Sequence, residues 1–142
     1  MSTPSRAEVE AAFLATRRAQ EAHDFSAYTD CFTEDAVYVE HALGTYEGRE
    51  RIRAWHVETM RGREDWTFPT EWYVIEGARV VCKWWCRPPG TRPDGTPYEF
   101  AGISTLVYAG DGLFSLQEDV YNMDEVRTAL DAWAKGQGTP PG

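Results

Sequence analysis

Apolar residues recur every three or four positions in the first part of the chain and every second position later on. One helical face of the first segment is formed by Val9, Ala12, Phe13, Thr16 and Ala19. Ser5 and Glu8 form a capping box just before that face, which predicts a helix over residues 6–23. Asp24 can cap a second, short helix that reaches Phe32.

The period then changes to two, which predicts a strand over residues 36–42 that ends at Gly44. Gly48 opens a third helix that closes near Arg61 and Gly62. One face of this helix carries Ile52, Trp55, His56 and Thr59. We expect that face to pack over a sheet.

The following residues predict four strands, at residues 68–75, 79–87, 98–108 and 113–121. Gly-containing turns join the first to the second and the third to the fourth, so the strands should pair antiparallel. The loop at 88–97 holds four prolines and two glycines, which suggests a mobile crossing at a pocket rim.

Asn122 can cap a last helix that carries Val126, Leu130 and Trp133. We expect one domain over residues 1–142, with an ordered core at about 6–134 and a flexible tail at 135–142. The order of elements predicts an α+β fold, with a cone-shaped, curved antiparallel sheet wrapped around the N-terminal helices. The open end of such a cone is a natural ligand cavity.

Composition narrows the function classes. The chain is 42% hydrophobic and carries a formal charge of −9, which argues against a nucleic-acid partner. No apolar stretch approaches the ~20 residues that span a bilayer, and the N-terminus lacks the features of a signal peptide, so we expect no membrane partner and a cytoplasmic location. Three cysteines, Cys31, Cys82 and Cys86, then fit reduced structural thiols.

Ionisable groups interrupt the apolar pattern at the first strand. Tyr38, Glu40 and His41 stand where a structural strand would carry more Val and Ile, and buried groups of this kind need partners. On the last strand, alternation places Ser115, Gln117, Asp119 and Tyr121 on one face, and Phe114, Leu116, Glu118 and Val120 on the other. The apolar alternation of 80–87 turns Trp84 inward.

Three segments together resemble the nuclear transport factor 2-like superfamily, and within it the SnoaL-like polyketide cyclase and ketosteroid isomerase-like branch. They are FTEDAVYVEH, TYEGRERIRAW and DGLFSLQEDVYN. The resemblance covers residues 6–133 and implies a cone-shaped fold related to the cystatin-like α+β barrel. It also implies a homodimer through the sheet and, in most members, no cofactor.

The last strand also resembles that of limonene epoxide hydrolases, which places a catalytic aspartate at Asp119. The same comparison aligns the active-site tyrosine of those enzymes with Tyr38, and their active-site asparagine with Glu40. The Arg-x-Asp segment that completes the water-activating triad of those enzymes is absent here, since residues 84–87 read WWCR. Epoxide hydrolysis by that mechanism is therefore not expected.

These observations predict acid–base chemistry in an aromatic cavity. Asp119 or Glu40 could act as base or acid, and Tyr38 could donate to an oxyanion. His41 is one residue out of phase with Glu40, so it faces the cavity only if a bulge or the strand end turns it inward. The expected contacts to substrate are Trp55, His56, Trp84, Ile103, Gln117 and Tyr121.

Structural roles remain open for the same residues. Asp119 could form an ion pair with Arg49 or Arg53, Glu40 and His41 could bond each other, and His56 could be a satisfied core histidine. No spacing typical of metal ligands occurs, so no metal is expected.

The resulting hypothesis is a cofactor-free, homodimeric cyclase, isomerase or dehydratase for a small hydrophobic cyclic or aromatic molecule. The alternatives are a non-catalytic binding protein with the same pocket, and a dimerisation module whose cavity its own side chains fill.

Overall fold

The computed structural model describes residues 3–138 of the chain, with side chains to residue 136. These residues form four helices: α1 (Arg6–Glu21), α2 (Phe25–Thr29), α3 (Arg49–Met60) and α4 (Met123–Gly138). Six strands accompany them: β1 (Phe32–Glu40), β2 (Gly44–Glu47), β3 (Thr70–Glu76), β4 (Arg79–Cys86), β5 (Phe100–Gly110) and β6 (Leu113–Val120).

Side-chain caps start three of the helices as the sequence predicts. Ser5 Oγ accepts from the Glu8 amide at 3.1 Å, and Asp24 Oδ1 accepts from the Ala27 amide at 2.9 Å. Asn122 Oδ1 accepts from the Asp124 amide at 2.8 Å. Each cap satisfies a backbone donor that has no partner within its helix.

The six strands form one curved, unclosed sheet in the order β2-β1-β6-β5-β4-β3. Strands β3 to β6 pair antiparallel as predicted, whereas β1 and β6 run parallel. This parallel pair sets Tyr38 beside Gln117 and Glu40 beside Asp119 in register. Two polar pairs are thereby brought to the same end of the sheet.

The core lies between the inner face of the sheet and the first three helices. Its fully buried side chains include Val9 and Phe13 of α1, Tyr28 of α2 and Ile52 of α3. On the sheet side, β4 contributes Val80 and Cys82, as the alternation predicts.

The predicted faces of β6 are wrong at its beginning. Phe114 is fully buried against Tyr108, although alternation groups it with the outward-facing residues. The register shifts between Val107 and Gly110 on β5 and between Phe32 and Val37 on β1, so a bulge resets the alternation. Beyond it, Gln117 and Asp119 point inward as expected, and both are buried.

Several boundaries also differ from the prediction. Strand β1 begins at Phe32, and the four-residue strand β2 was not anticipated at all. Helix α4 continues to Gly138, so residues 135–138 of the predicted flexible tail are helical, and residues 139–142 lie outside the described part of the chain. In the described residues, no helix is both long and apolar enough to cross a membrane.

Candidate functional site

A cavity of about 200 Å³ opens at one end of the sheet, between it and helices α1, α3 and α4. Most of its wall is aromatic or apolar, and its polar groups are few. The aromatic wall is formed by Trp55, Trp66, Phe68, Trp84, Phe100 and Tyr121. The groups able to donate, accept or titrate include Arg17, Tyr38, Glu40, His56, Gln117 and Asp119.

Asp119 is the centre of the polar network in this cavity. Its Oδ1 accepts hydrogen bonds from Ser104 Oγ at 2.6 Å and from Gln117 Nε2 at 3.0 Å. Its Oδ2 accepts a short hydrogen bond from the Tyr38 hydroxyl. An ionised carboxylate offers about four acceptor positions, so about one remains for a ligand.

Burial makes this carboxyl group more basic. Asp119 is only 8% exposed, and its desolvation raises the pKa of the carboxyl although Ser104, Tyr38 and Gln117 all donate to it and act in the opposite direction. The charge of Glu40 raises the same pKa further. A carboxyl group of raised proton affinity is suited to general acid–base catalysis.

Tyr38 remains a neutral donor in this setting. It is 3% exposed, and burial together with the neighbouring Asp119 raises the pKa of its phenol well above the usual range. Its oxygen also accepts from Gln117 Nε2 at 3.1 Å, while Gln117 Oε1 accepts a short hydrogen bond from Tyr28. Gln117 is thereby fixed in one orientation.

Trp84 connects the aromatic wall to the carboxylate network. Its indole Nε1 donates to Ser104 Oγ at 2.8 Å, and the Ser104 hydroxyl in turn donates a hydrogen bond to Asp119 Oδ1 at 2.6 Å. Each hydrogen bond in this chain orients the next donor. Trp84 also packs against Phe100 and Tyr121 at ring distances of 6.3 and 6.2 Å.

Glu40 forms a second acidic position in the cavity. Its Oε2 accepts a short hydrogen bond from the Tyr121 hydroxyl, and its Oε1 accepts from the Ala42 amide at 2.8 Å. Burial, followed by the contact with Glu40, raises the pKa of the Tyr121 phenol. The two carboxylates are register partners on β1 and β6 but have separate donor sets.

The structure brings together eight of the ten predicted site residues. Those that line the cavity are Tyr38, Glu40, Trp55, His56, Trp84, Gln117, Asp119 and Tyr121. His41 does not, because it follows the end of β1, is exposed, and pairs with Glu118 at 2.5 Å on the outside. Ile103 does not either, because it alternates with the buried Gly102 and Ser104 and therefore lies on the outer face of β5.

The structural roles considered for the acidic residues are not observed. Arg49 pairs with Glu34 and Glu50, and Arg53 pairs with Asp30 and Glu50, so neither is the partner of Asp119. Glu40 and His41 each have partners other than one another. His56 is not a satisfied core histidine, since both of its ring nitrogens are buried and neither has a hydrogen-bond partner in the described part of the chain.

Sequence reasoning missed three residues of the polar part of the site, Arg17, Tyr28 and Ser104, and three of its aromatic wall, Trp66, Phe68 and Phe100. Arg17 follows Phe13 by four residues and therefore shares its buried helical face, which is an available signal. Ser104 stands between the inward Gly102 and Leu106 on β5, so the alternation could have found it. Tyr28 is indistinguishable from an ordinary core aromatic in the sequence.

In the described residues, no cluster of three or more His, Cys, Asp or Glu is arranged to hold a metal ion.

The sequence model of the SnoaL-like domain matches residues 11–116, which is most of the chain. The chain belongs to the SnoaL-like domain family. The predicted resemblance is therefore confirmed at the level of the family. No curated protein matches the chain in sequence.

Solved structures share the fold at low sequence identity. An LEH-like epoxide hydrolase from M. tuberculosis is 18% identical with a TM-score of 0.75, over 96% of this chain and 100% of that one. A protein described as a SnoaL-like polyketide cyclase from Shewanella putrefaciens is 14% identical with a TM-score of 0.75, over 88% and 86% of the two chains.

A third neighbour, from Catenulispora acidiphila, has a ketosteroid isomerase-like fold. It is 23% identical with a TM-score of 0.67, over 90% of this chain and 93% of that one. Other neighbours are described as NTF2-like or as cystatin-like in fold, which confirms the predicted fold class. At these identities the similarity shows the fold of the SnoaL-like chain and not its reaction.

Proposed function

We propose that this SnoaL-like chain is a cofactor-free acid–base enzyme of the cyclase, isomerase or dehydratase type. Its substrate would be a small hydrophobic cyclic or aromatic molecule. The observation that carries the proposal is the buried Asp119 carboxyl group, which lines an aromatic cavity, has a raised pKa and is fixed by Tyr38, Ser104 and Gln117. Neighbours described as a polyketide cyclase and an epoxide hydrolase support a small-molecule reaction on this fold.

The first step of the proposed reaction is removal of a proton from a carbon beside a carbonyl group. The proton moves to Asp119, and the C–H electron pair shifts onto the carbonyl oxygen to form an enolate. The neutral carboxylic acid no longer needs the Tyr38 hydrogen bond, so the phenol can rotate and donate to the enolate oxygen. Positioned general acid–base groups contribute about 10²- to 10⁴-fold each.

The fate of the enolate decides the overall reaction. Asp119 can return the proton to a different carbon, which is an isomerisation. The enolate carbon can instead attack a second carbonyl within the same molecule, which is a cyclisation, or expel a hydroxide that takes a proton, which is a dehydration. Glu40, held by Tyr121, is a second group for the proton transfers at the other carbon or oxygen.

Exchange of hydrogen with solvent tests the first step without knowledge of the true substrate. A panel of one- and two-ring ketones such as 2-tetralone, incubated in D₂O, should take up deuterium beside the carbonyl in the presence of the protein. Asp119→Asn should lose this exchange. Glu118→Gln is the matched control. It removes a carboxylate from the neighbouring position on the same strand, but the Glu118 side chain lies outside the cavity, where it bonds His41.

A non-catalytic binding protein is the second candidate function, favoured by one observation. Protein donors already hold about three of the four acceptor positions of Asp119, which restricts the lone pairs available to a substrate. Binding of the ketones without deuterium uptake across the panel would favour this candidate over the enzyme.

We also propose that two copies associate through the outer face of the sheet. Trp72, Val74 and Val120 are 42%, 57% and 42% exposed there, and apolar groups of this size on one face are typical of an interface. Sedimentation velocity should give a dimer for the natural chain and a monomer for Val74→Glu. Leu14→Glu, on the exposed side of α1, is the matched control and should remain dimeric.

A further inference from the structure

Arg17 is a buried cation that has no acidic partner among the residues that the structure describes. It lies on α1, is 8% exposed and contributes to the cavity wall. Its Nε donates to Thr16 Oγ1 at 3.2 Å, but its buried Nη2 has no hydrogen-bond partner, and no carboxylate in residues 3–136 forms an ion pair with it. Two aromatic rings support the guanidinium, those of Phe13 at 5.3 Å and Tyr28 at 5.8 Å.

This state is unusual, because buried charges in proteins are normally paired. Arg53 of α3 shows the ordinary arrangement, since its guanidinium contacts the carboxylates of Asp30 and Glu50. Aromatic contacts stabilise a guanidinium only in part and leave its N–H groups without acceptors. The unpartnered Nη2 of Arg17 therefore points to an acceptor that residues 3–136 do not supply.

His56 is the second unpartnered polar group of the same region. His56 is 7% exposed and lines the cavity. Its ring stacks on Tyr28, which also contacts the Arg17 guanidinium, with ring centroids 5.0 Å apart and an interplanar angle of 20°. Neither ring nitrogen has a hydrogen-bond partner in residues 3–136. Because burial and the nearby Arg17 charge lower the pKa of His56 to about 4, the ring is neutral at pH 7 and offers one N–H donor.

The cationic and acidic groups of the cavity act in opposite directions on the same phenols. Burial raises the pKa of Tyr28 and Tyr38, the charge of Asp119 raises it further, and the charge of Arg17 lowers it. Tyr28 connects the two regions, since its ring contacts Arg17 and His56 while its hydroxyl bonds Gln117, which in turn bonds Asp119. The cavity thus has a cationic part and an acidic part on either side of Gln117.

We propose that Arg17 and His56 form a carboxylate-recognition subsite, so that the ligand of this cavity is a small ring compound bearing a carboxylate. A guanidinium presents parallel N–H donors that match the two oxygens of a carboxylate, and the His56 N–H adds a third donor. The aromatic wall takes the ring. Binding the carboxylate here would orient the ring of the ligand toward Asp119. This part of the inference rests on the proposed function.

Calorimetric titration with two probes of the same shape tests the subsite. We expect 2-naphthoate to bind the natural chain at least about tenfold more tightly than the neutral 2-naphthamide, a difference of about 1.4 kcal/mol. Arg17→Met should abolish that preference, with the amide affinity unchanged within about twofold. Arg17→Lys should retain part of the preference, since lysine keeps the positive charge but lacks the two parallel N–H donors of the guanidinium. Arg18→Met, an exposed arginine on the same helix, is the matched control and should retain all of it.

Thermal unfolding separates this role from a structural one. If Arg17 serves a ligand, its removal relieves an unpaired buried charge, and Arg17→Met should keep or raise the melting temperature. Equal affinity of the natural chain for both probes would overturn the subsite. So would an Arg17→Met protein that melts earlier and still prefers the carboxylate.

The probes do not react, so the result is independent of catalysis. A carboxylate preference without deuterium exchange would uphold the subsite and contradict the enzyme. Deuterium exchange by a protein that shows no preference for the carboxylate would support the enzyme and contradict the subsite.

Discussion

Trp84 and Gly102 are register partners on β4 and β5, and the indole ring of Trp84 occupies the space that a Cβ at position 102 would take. The glycine is therefore what allows the indole to lie flat against β5. In that position its Nε1 reaches Ser104, which holds Asp119. A residue without a side chain thus determines the shape of the aromatic wall and the position of the carboxylate network.

Gly102→Ala should displace the Trp84 indole and break its hydrogen bond to Ser104. Overpacking of a buried site costs about 1–3 kcal/mol, which urea unfolding would measure, and naphthoate affinity should fall with it. The double variant Gly102→Ala with Trp84→Leu should recover most of the stability, because the smaller side chain leaves room for the methyl group. Equal stability of Gly102→Ala and the natural chain would show that the ring moves without cost.

Tyr38→Phe should raise the pKa of Asp119 further. The phenol is one of three donors that favour the ionised carboxylate, and its removal also takes an acceptor from Gln117. Deuterium exchange should slow, and the pH at which its rate rises, as Asp119 ionises, should be higher than in the natural chain. Loss of one buried hydrogen bond of this kind costs about 1–3 kcal/mol of stability.

The matched control for Tyr38 is Tyr46→Phe. Its hydroxyl bonds the Leu43 carbonyl at 3.3 Å, near the exposed start of β2, and is not one of the three donors to Asp119. The pH profile of this variant should coincide with that of the natural chain. A profile that moves equally in both variants would contradict the assignment of the Asp119 ionisation.

Asp119→Asn should stabilise the fold more at neutral pH than at low pH. The folded-state pKa of Asp119 is raised, so its contribution to stability is greatest below the unfolded pKa and is lost as pH rises through the folded value. Removing the charge removes this loss. Urea unfolding of both proteins across that interval measures the difference, and a difference independent of pH would mean that Asp119 is not desolvated.

Local chemistry explains which parts of this fold could be predicted. The cap of α1 at Ser5 and the turn at Gly77 depend on residues close in sequence, and both occur as predicted. The parallel pairing of β1 with β6 joins residues 81 positions apart, such as Tyr38 and Asp119, and no local pattern encodes it. The carboxylate network depends on that pairing.

Bulges and burial explain the errors at the site. Alternation is reset before Gln117, so Phe114 faces inward against expectation while Asp119 does not change face. Ile103 was expected to contact substrate, but its position next to the inward-facing Ser104 places it on the opposite face of β5. Arg17 was overlooked because a charged residue on a helix is usually solvated, and only the structure shows that it is buried.

His56→Phe should make the stability of the protein less sensitive to acid. The folded-state pKa of His56 is lowered from 6.5 to about 4, so its stabilising effect is present above pH 6.5 and is lost as pH falls toward 4. The largest loss is about 3 kcal/mol, from about 1.36 kcal/mol per pKa unit. Phe has the shape to keep the stack on Tyr28 and cannot take up a proton.

Urea unfolding at about pH 7 and pH 4 would measure this effect as the difference between the natural chain and His56→Phe. The opposing contribution of Asp119 is present in both proteins, so it cancels in that difference. His41→Gln is the control, because it removes an exposed histidine that does not line the cavity. If His56→Phe lost as much stability in acid as the natural chain, then His56 would be hydrated in the folded state, and the dry cationic region that it shares with Arg17 would not exist.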